Sequence, residues 1–301
     1  FNVSITYKKL MNLIDKATIS LESMGIKKGD IVGRISYGKD ILFVVDRIIK
    51  TNNNKEIAIL KGIMIRIKAD SLVEDLEIID KRIVDKNIEK FENRIQQMVK
   101  RCLNSLGNNN DENRLKRLLY TGKILHLDGD RRYSEKSNKY YKSLGLNVIV
   151  KNIAENKQPR FVKVLVQRYR PDILVITGHD GMIKNGTGYQ DIYNYRNSAY
   201  FVRSVQEARS LNYEGKDLVI FAGACQSYYE AIMEAGANFA SSPARILIDF
   251  MDPLIVAQTI ATTESTKYVT IKDMENDLRD GIKGVNGIGA MGKKKIVVTQ
   301  M

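Results

Sequence analysis

The sequence predicts an α/β protein, a parallel sheet covered by helices, preceded by a small all-β segment and a helical linker. Three observations carry this. From Lys123 onward, short apolar strands alternate with amphipathic helices. From Lys28 to Ile79, short alternating strands are separated by turn residues. Between the two lies a polar, helix-patterned stretch that runs into GNNNDEN. With 301 residues, 44% of them hydrophobic, the chain can bury a core, which excludes wholesale disorder. No apolar run approaches the roughly 20 residues of a membrane-spanning helix. The opening FNVSITYKKLMNL carries no evident signal peptide.

Residues 1–23 show Leu10, Ile14 and Leu21 at loose helical spacing. They are expected to lie outside the working protein, with Met24 as its natural start. Residues 24–80 come next. GDIVGRISYGKDILFVVDRI gives two strands joined by the turn Tyr37-Gly38-Lys39-Asp40, and Asn52-Asn53-Asn54 makes another turn. KEIAILKG and IMIRIKADS follow, the second with Ile63, Ile65 and Ile67 in alternation. Five short strands in this span suggest an SH3-like barrel with a structural or docking role. Residues 81–120 read as a helical linker in which Cys102, beside Leu103 and Leu106, is a half-buried thiol.

Residues 121–301 form the α/β domain. Its strands are KILHLDGD, NVIVKNI, DILVITGHDG, DLVIFAGACQS and NFASS. Between them fall the helices YSEKSNKYYKSLG, closed by Gly145, PRFVKVLVQRYR, with Pro159 near its start, SAYFVRSVQEARSLN and YYEAIMEAG. GVNGIGAMGKKK reads as a flexible turn before a final strand KIVVTQ, and Asp252, before Pro253, as an N-cap.

Composition narrows the chemistry. Two cysteines cannot build a disulfide framework, and with only two histidines no metal-ligand spacing emerges, so neither zinc nor any cofactor is implied. The net charge of +13 is spread evenly along the chain and reads as a basic surface rather than a nucleic-acid-binding tail. No phosphate-binding G-x-x-x-x-G-K-[ST] loop and no G-x-S-x-G elbow is present.

What remains is a pair of strand ends. In open α/β sheets ligands bind beyond the carboxyl ends of the strands. DILVITG delivers His179 there, and DLVIFAGA delivers Cys225. Neighbouring parallel strands bring both to one rim, where a thiolate is a nucleophile and an imidazole its proton partner. Gly178 and Gly223 let the chain turn and expose the tips, while the amides of Gly181 and Cys225 are the expected oxyanion donors. Asp128 and Asp130, on the same rim, either bind a basic substrate side chain or cap the next helix. His126 is expected to be a core or supporting group. This reading requires a reachable thiol, and a sulfur walled in by packed side chains contradicts it.

A strand ending in His followed by one ending in Ala-Cys resembles the caspase-like cysteine peptidases, the relatives of clostripain, gingipain and legumain. Those enzymes often show His-Gly, whereas Asp180 intervenes here. A closer resemblance is to the YabG family of sporulation-specific peptidases. It covers about residues 24–300 and rests on GDIVGRISYGKDILF, LHLDGD, ITGHDG, YRNSAYFVRSVQEAR and LVIFAGACQSYYEAIMEAGANFASSPARI. The resemblance implies a caspase-like fold and a cysteine endopeptidase of the mother cell, associated with the forming spore coat. It implies processing of coat proteins after basic residues, chiefly Arg, with Cys225 as nucleophile and His179 as base. Self-cutting is common among such folds, and Arg82, Arg101, Arg114 and Arg117 are candidate sites. Two other classes remain open: a non-catalytic protein that binds coat proteins or nucleic acid through the barrel and basic surface, and an amidase or acyltransferase on the same sheet.

Overall fold

The computed structural model describes residues 25–105, 111–183, 188–211 and 217–295. The expected extension 1–23, residues 107–110 of the expected loop 107–113 and the final strand KIVVTQ from residue 296 lie outside them, while residues 111–113 of that loop open a helix instead. The described residues fall into two compact units, one running from residue 25 to 64 and from 68 to 90, the other comprising residues 65–67 and the described residues from 91 to 295.

The first unit is an antiparallel sheet of β1 (Ile31–Arg34), β2 (Phe43–Lys50), β3 (Glu56–Gly62), β4 (Lys68–Leu72) and β5 (Leu76–Ile78), in the order β4-β3-β2-β1-β5. Val32, Phe43, Val45, Ala58 and Leu60 are buried. Gly38 and Lys39 turn the chain between β1 and β2 at φ +61° and +57°. IMIRIKADS is not one continuous strand. β4 begins at Lys68, and Ile65 and Ile67 make only single bridges, to Asp249 and Asp180. The Ile63/Ile65/Ile67 alternation would send Arg66 to solvent, yet its side chain is wholly buried within the second unit.

Helices α1 (Lys81–Ser105) and α2 (Asp111–Tyr120) precede the larger sheet. The elements that follow are β6 (Ile124–Asp128), α3 (Arg131–Ser143), β7 (Val148–Asn152), α4 (Gln158–Tyr169), β8 (Ile173–Thr177), α5 (Ser198–Arg209), β9 (Val219–Ala222), α6 (Tyr229–Glu234), β10 (Phe239–Ser241), α7 (Asp252–Thr262), β11 (Tyr268–Val269), β12 (Val285–Gly287) and β13 (Ala290–Met291), of which β11 and β13 pair with each other in a separate antiparallel ribbon and the other strands form the larger sheet. The order β12-β10-β9-β8-β6-β7 is parallel except for β12, at the edge. Strands β6, β8 and β9 are buried at every position, as a sheet covered on both faces requires. Val162 and Val166 of α4 and Phe201 and Val205 of α5 pack with Leu125, Leu127, Leu174, Ile176 and Ile220 in one core cluster. Helices α3 and α7 touch each other and the sheet. Strand order reverses between β6 and β8, the switch point at which such sheets open a crevice.

Two local expectations change. GVNGIGAMG is not a free turn but β12 and β13, with Gly289 at φ +87° between them. At Gly287 a Cβ would lie 2.1 Å from the Asn238 carbonyl oxygen, so that strand crossing admits only glycine. Asp252 is the first residue of α7 rather than its cap, and its carboxylate accepts from the amides of Asp249 (2.8 Å) and Arg279 (3.1 Å). Among the described residues no helix is long and apolar enough to cross a membrane.

Candidate active site

Three strand ends converge at the switch point. β6 ends at Asp128, β8 leads to His179, and β9 leads to Cys225. In the β8–β9 ladder Ile176 faces Ala222, so His179 and Cys225 each follow a paired residue at the same sequence distance. Two ties hold those extensions together. Thr177 donates its hydroxyl to the Gly223 carbonyl at 2.8 Å, and Ser227 donates its hydroxyl to Asp180 Oδ2 at 2.9 Å. His179 and Cys225 lie between these ties.

The turn that carries Cys225 is tight. Gly223 has φ +111° and Gln226 φ +55°, and a Cβ on Gly223 would meet Ser241 Oγ at 2.3 Å. Ser227 Oγ accepts from the Ala224 amide, which closes the turn. Gly178 serves a different purpose from the expected one. It leaves room for the buried Glu155 carboxylate, and so does Gly129; a Cβ there would fall 2.4 Å and 2.2 Å from Glu155 atoms. Glu155 accepts from the His179 amide at 2.8 Å and lies 4.0 Å from His179 Nδ1.

Both side chains of the pair are fully buried, which contradicts the expectation of exposed tips and of a thiol within a substrate's reach. The cover includes one extended chain segment, Ile65–Ile67. Ile65 bridges Asp249 in antiparallel fashion, and Ile67 bridges Asp180 in parallel. Arg66 accepts at its carbonyl from the Asp180 amide (3.2 Å), and its own amide faces the Cys225 thiol. The guanidinium enters a pocket in which Nη1 donates to Asp128 Oδ2 at 2.6 Å, with neither side chain exposed. Tyr133 and Phe250 wall this pocket as stacked rings 5.4 Å apart, with the guanidinium carbon 4.6 Å and 5.3 Å from their centroids. The Tyr133 ring also lies 5.4 Å from that of His179.

The predicted carboxylates divide their work. Asp128 takes the guanidinium, whereas Asp130 caps α3 by accepting from the amides of Arg132 and Tyr133. His126 stands behind Asp128, its Nε2 at 3.6 Å from Oδ2 and its Nδ1 against the Tyr141 hydroxyl. Of the expected oxyanion donors, Gly181 gives its N–H to Asp180 Oδ1 at 2.9 Å, and the amide that meets the Arg66 carbonyl is that of Asp180, one residue earlier. The Cys225 amide lies in the turn after β9. Cys102 is half-buried, 3.8 Å from the Tyr140 hydroxyl.

Electrostatics follow burial and partners. Burial pushes the Cys225 thiol up to about 12, against the opposing pull of the Ile248 amide and Arg66. Burial likewise lowers His179, although Asp130, Glu155 and Asp128 oppose it. At neutral pH the covered site therefore holds a thiol, not a thiolate. Burial alone would raise Asp128, but the Arg66 charge, aided by His126 and the Asp130 amide, overrides it and holds the carboxyl well below its ordinary range. Asp180 is raised by burial to about 6 despite hydrogen bonds from Ser198, Asn197, Gly181 and Ser227. Among the described residues no group of three or more His, Cys, Asp or Glu side chains is placed to hold a metal ion.

Arg66, Tyr133, Glu155 and Asp180 are the site residues that sequence reasoning passes over. The spacing that gives Glu155 room, Gly129 and Gly178 on adjacent strand ends, is its only trace in the sequence.

Comparison with known proteins adds to the geometry. The family described as YabG peptidase U57 matches residues 27–299. The chain is 36% identical to a protein of Bacillus subtilis (strain 168) named sporulation-specific protease YabG, over 91% of this chain and 98% of the relative. No solved structure matches.

Proposed function

The chain belongs to the YabG peptidase U57 family and is a sporulation protease, and from that premise we propose that it is a cysteine endopeptidase that cuts after arginine with Cys225 and His179. One observation carries the proposal: a single arginine spans the rim, with its guanidinium on Asp128, its carbonyl on the amide beside His179 and its amide against the Cys225 thiol. The reading requires the Ile65–Ile67 cover to open, after which a substrate arginine seated in place of Arg66 would present its carbonyl to the sulfur.

In this reading the Cys225 sulfur attacks the carbonyl carbon and forms a thioester as the bond to the leaving nitrogen breaks. His179 carries the thiol proton to that nitrogen and then takes one from the water that hydrolyses the thioester. Developing oxyanion charge is met by the amides of Asp180 and Cys225. Glu155 is a positioning residue, which orients His179 through its amide and Nδ1 edge. Asp128 selects arginine, because the pocket supplies both a carboxylate and two aromatic faces. Asp130 acts on the pocket through α3, by placing Tyr133.

The finer fold reading is a caspase-like peptidase domain behind an SH3-like barrel. A thiol and an imidazole at adjacent parallel strand ends support the first, and the β4-β3-β2-β1-β5 order with antiparallel pairing supports the second. Coat-protein substrates, met in the mother cell at the forming coat, are part of the proposal, and the relative's sporulation-specific name is compatible with them.

The test uses purified Cys225→Ala, His179→Ala and Cys102→Ala chains on a peptide panel with Arg, Lys, Asp or Asn before the scissile bond. Turnover of the Arg peptide is expected in Cys102→Ala alone among the three. Equal turnover in Cys225→Ala and Cys102→Ala ends the proposal, and a preference for Asp or Asn ends the assignment of Asp128.

A further inference from the structure

We infer that the Asp180 side chain is a positioning residue for the peptidase reaction, the carboxylate that sets the Cys225 turn against the His179 loop; the inference rests on the Cys225 reading above and deepens it. Asp180 is wholly buried. Its Oδ1 accepts from the amides of Gly181 at 2.9 Å and Asn197 at 2.8 Å. Its Oδ2 accepts from the hydroxyls of Ser198 at 2.6 Å and Ser227 at 2.9 Å. Those serines pass the grip on. Ser227 Oγ accepts from the Ala224 amide at 2.9 Å, and Ser198 Oγ accepts from the Tyr228 amide at 2.8 Å. Ala224 comes just before Cys225 and Tyr228 lies at the far end of the same turn. Both ends of the nucleophile turn therefore reach one carboxylate oxygen through one hydroxyl each.

The histidine side is held by the same neighbourhood. The His179 carbonyl accepts from Asn197 Nδ2 at 2.6 Å, while the His179 amide donates to Glu155. Asn197 stands at the N-cap of α5 yet gives that helix no side-chain cap, because its amide group is turned to His179. Asp180 meets the start of α5 in its place, at the Asn197 amide and the Ser198 hydroxyl. Capping α5 would account for those two contacts but not for Ser227 or its relay to Ala224. Gln226, next to Cys225, lies at φ +55°, a conformation that persists only where its surroundings hold it. Without the Asp180 ties the turn is free to relax, and the sulfur moves relative to the imidazole.

Only a carboxylate fits this position. Each serine hydroxyl has one proton and already accepts an amide, so the proton goes to Oδ2. Every group bonded to the Asp180 side chain is thus a donor. An asparagine would aim its NH2 either at the two backbone amides or at the two hydroxyls, donor against donor whichever way it is turned. The aspartate that interrupts a His-Gly motif thereby does what a glycine cannot. The arginine pocket is built from other places: Asp128 ends β6, Tyr133 lies in α3 and Phe250 precedes α7. A change at the Asp180 carboxylate therefore falls on kcat rather than on KM.

Wild-type, Asp180→Asn, Ser227→Ala, doubly substituted Asp180→Asn/Ser227→Ala and Cys225→Ala chains are purified and read on an Arg peptide for kcat and KM, with thermal unfolding to count the folded fraction. Asp180→Asn is expected to lower kcat per folded chain about a hundredfold, with KM within about threefold of wild type. Ser227→Ala, which keeps the carboxylate and removes only the relay to Ala224, is expected to lower kcat about tenfold or more. The double substitution should lose less than the product of the two single losses, because both act through one network. A folded Asp180→Asn chain with kcat within about threefold of wild type, a loss confined to KM, or losses that multiply overturns the inference and leaves the Cys225 reading standing. If Asp180→Asn does not fold, Ser227→Ala decides: an unchanged kcat overturns the inference, and a lowered kcat with KM kept supports it. If wild type turns over the Arg peptide no faster than Cys225→Ala, the Cys225 reading falls and takes the inference with it.

Discussion

Asp128→Asn, made in a Cys225→Ala background so that no cutting intervenes, is expected to release the Ile65–Ile67 segment rather than unfold the chain. The substitution removes the anion at 2.6 Å from a guanidinium with no exposure of its own. Breaking one side of such a pair costs about 3–5 kcal/mol, because the remaining charge stays buried alone. Tyr133 and Phe250 return at most about 2 kcal/mol through their ring faces. Two guanidinium nitrogens already lack acceptors among the described residues, so none of these takes over. Leaving for water is then the cheaper course for the segment. Hydrogen exchange of the peptides that contain Arg66 and Asp180, read by mass spectrometry near neutral pH, reports the opening. Exchange is expected to quicken by roughly one to two powers of ten, the net of these two figures. The sign with pH is fixed as well. Asp128 is depressed in the folded chain, so its contribution is full above the ordinary carboxylate value of about 4 and fades as pH falls below it. The gap between the two chains should narrow on acidification. Exchange unchanged within about threefold at neutral pH would refute the reasoning, since it would mean that the pair does not hold the segment.

In His179→Ala, which keeps the covered thiol, alkylation of Cys225 at pH 8 should run about a thousandfold slower than that of an ordinary thiol. A group pushed up to about 12 is then only about one part in ten thousand thiolate. The rate should rise about tenfold per pH unit up to pH 11, and a rate like that of a free thiol at pH 8 contradicts the burial. Glu155→Gln should lower kcat on Arg peptides by about tenfold or more with KM unchanged, and a change confined to KM would remove its positioning role. Gly178→Ala places a Cβ 2.4 Å from Glu155 Oε1 and should cost about 1–3 kcal/mol in thermal unfolding; an unchanged Tm would show that Glu155 is not held there.

The rim was legible in the sequence because its strands announce themselves. ILHLD, ILVIT and VIFA are apolar runs that stop at small or reactive residues, and parallel neighbours must end on the same side. Arg66 was not legible. It sits in an Ile63/Ile65/Ile67 alternation that makes an arginine face water, and its carboxylate partner lies 62 residues away. Only tertiary pairing at Asp180 and Asp249 reverses that pattern. Asp180 reads as an interruption of a His-Gly motif, yet it supplies the amide beside the Arg66 carbonyl and a buried carboxylate that ties Ser198 to Ser227. Asp130 illustrates the opposite case. Its position just before a helix favours capping, and capping is what it does.

The central claim, that the Cys225 sulfur attacks a carbonyl presented by an arginine in the Asp128 pocket, is tested most directly by covalent capture. The wild-type chain is incubated with an Arg-containing peptide electrophile and the modified residue located by mass spectrometry. The account predicts one adduct, on Cys225, suppressed when Asp replaces Arg in the peptide and when Asp128 is changed to Asn. An adduct on Cys102, or labelling of Cys225 indifferent to both changes, would contradict it.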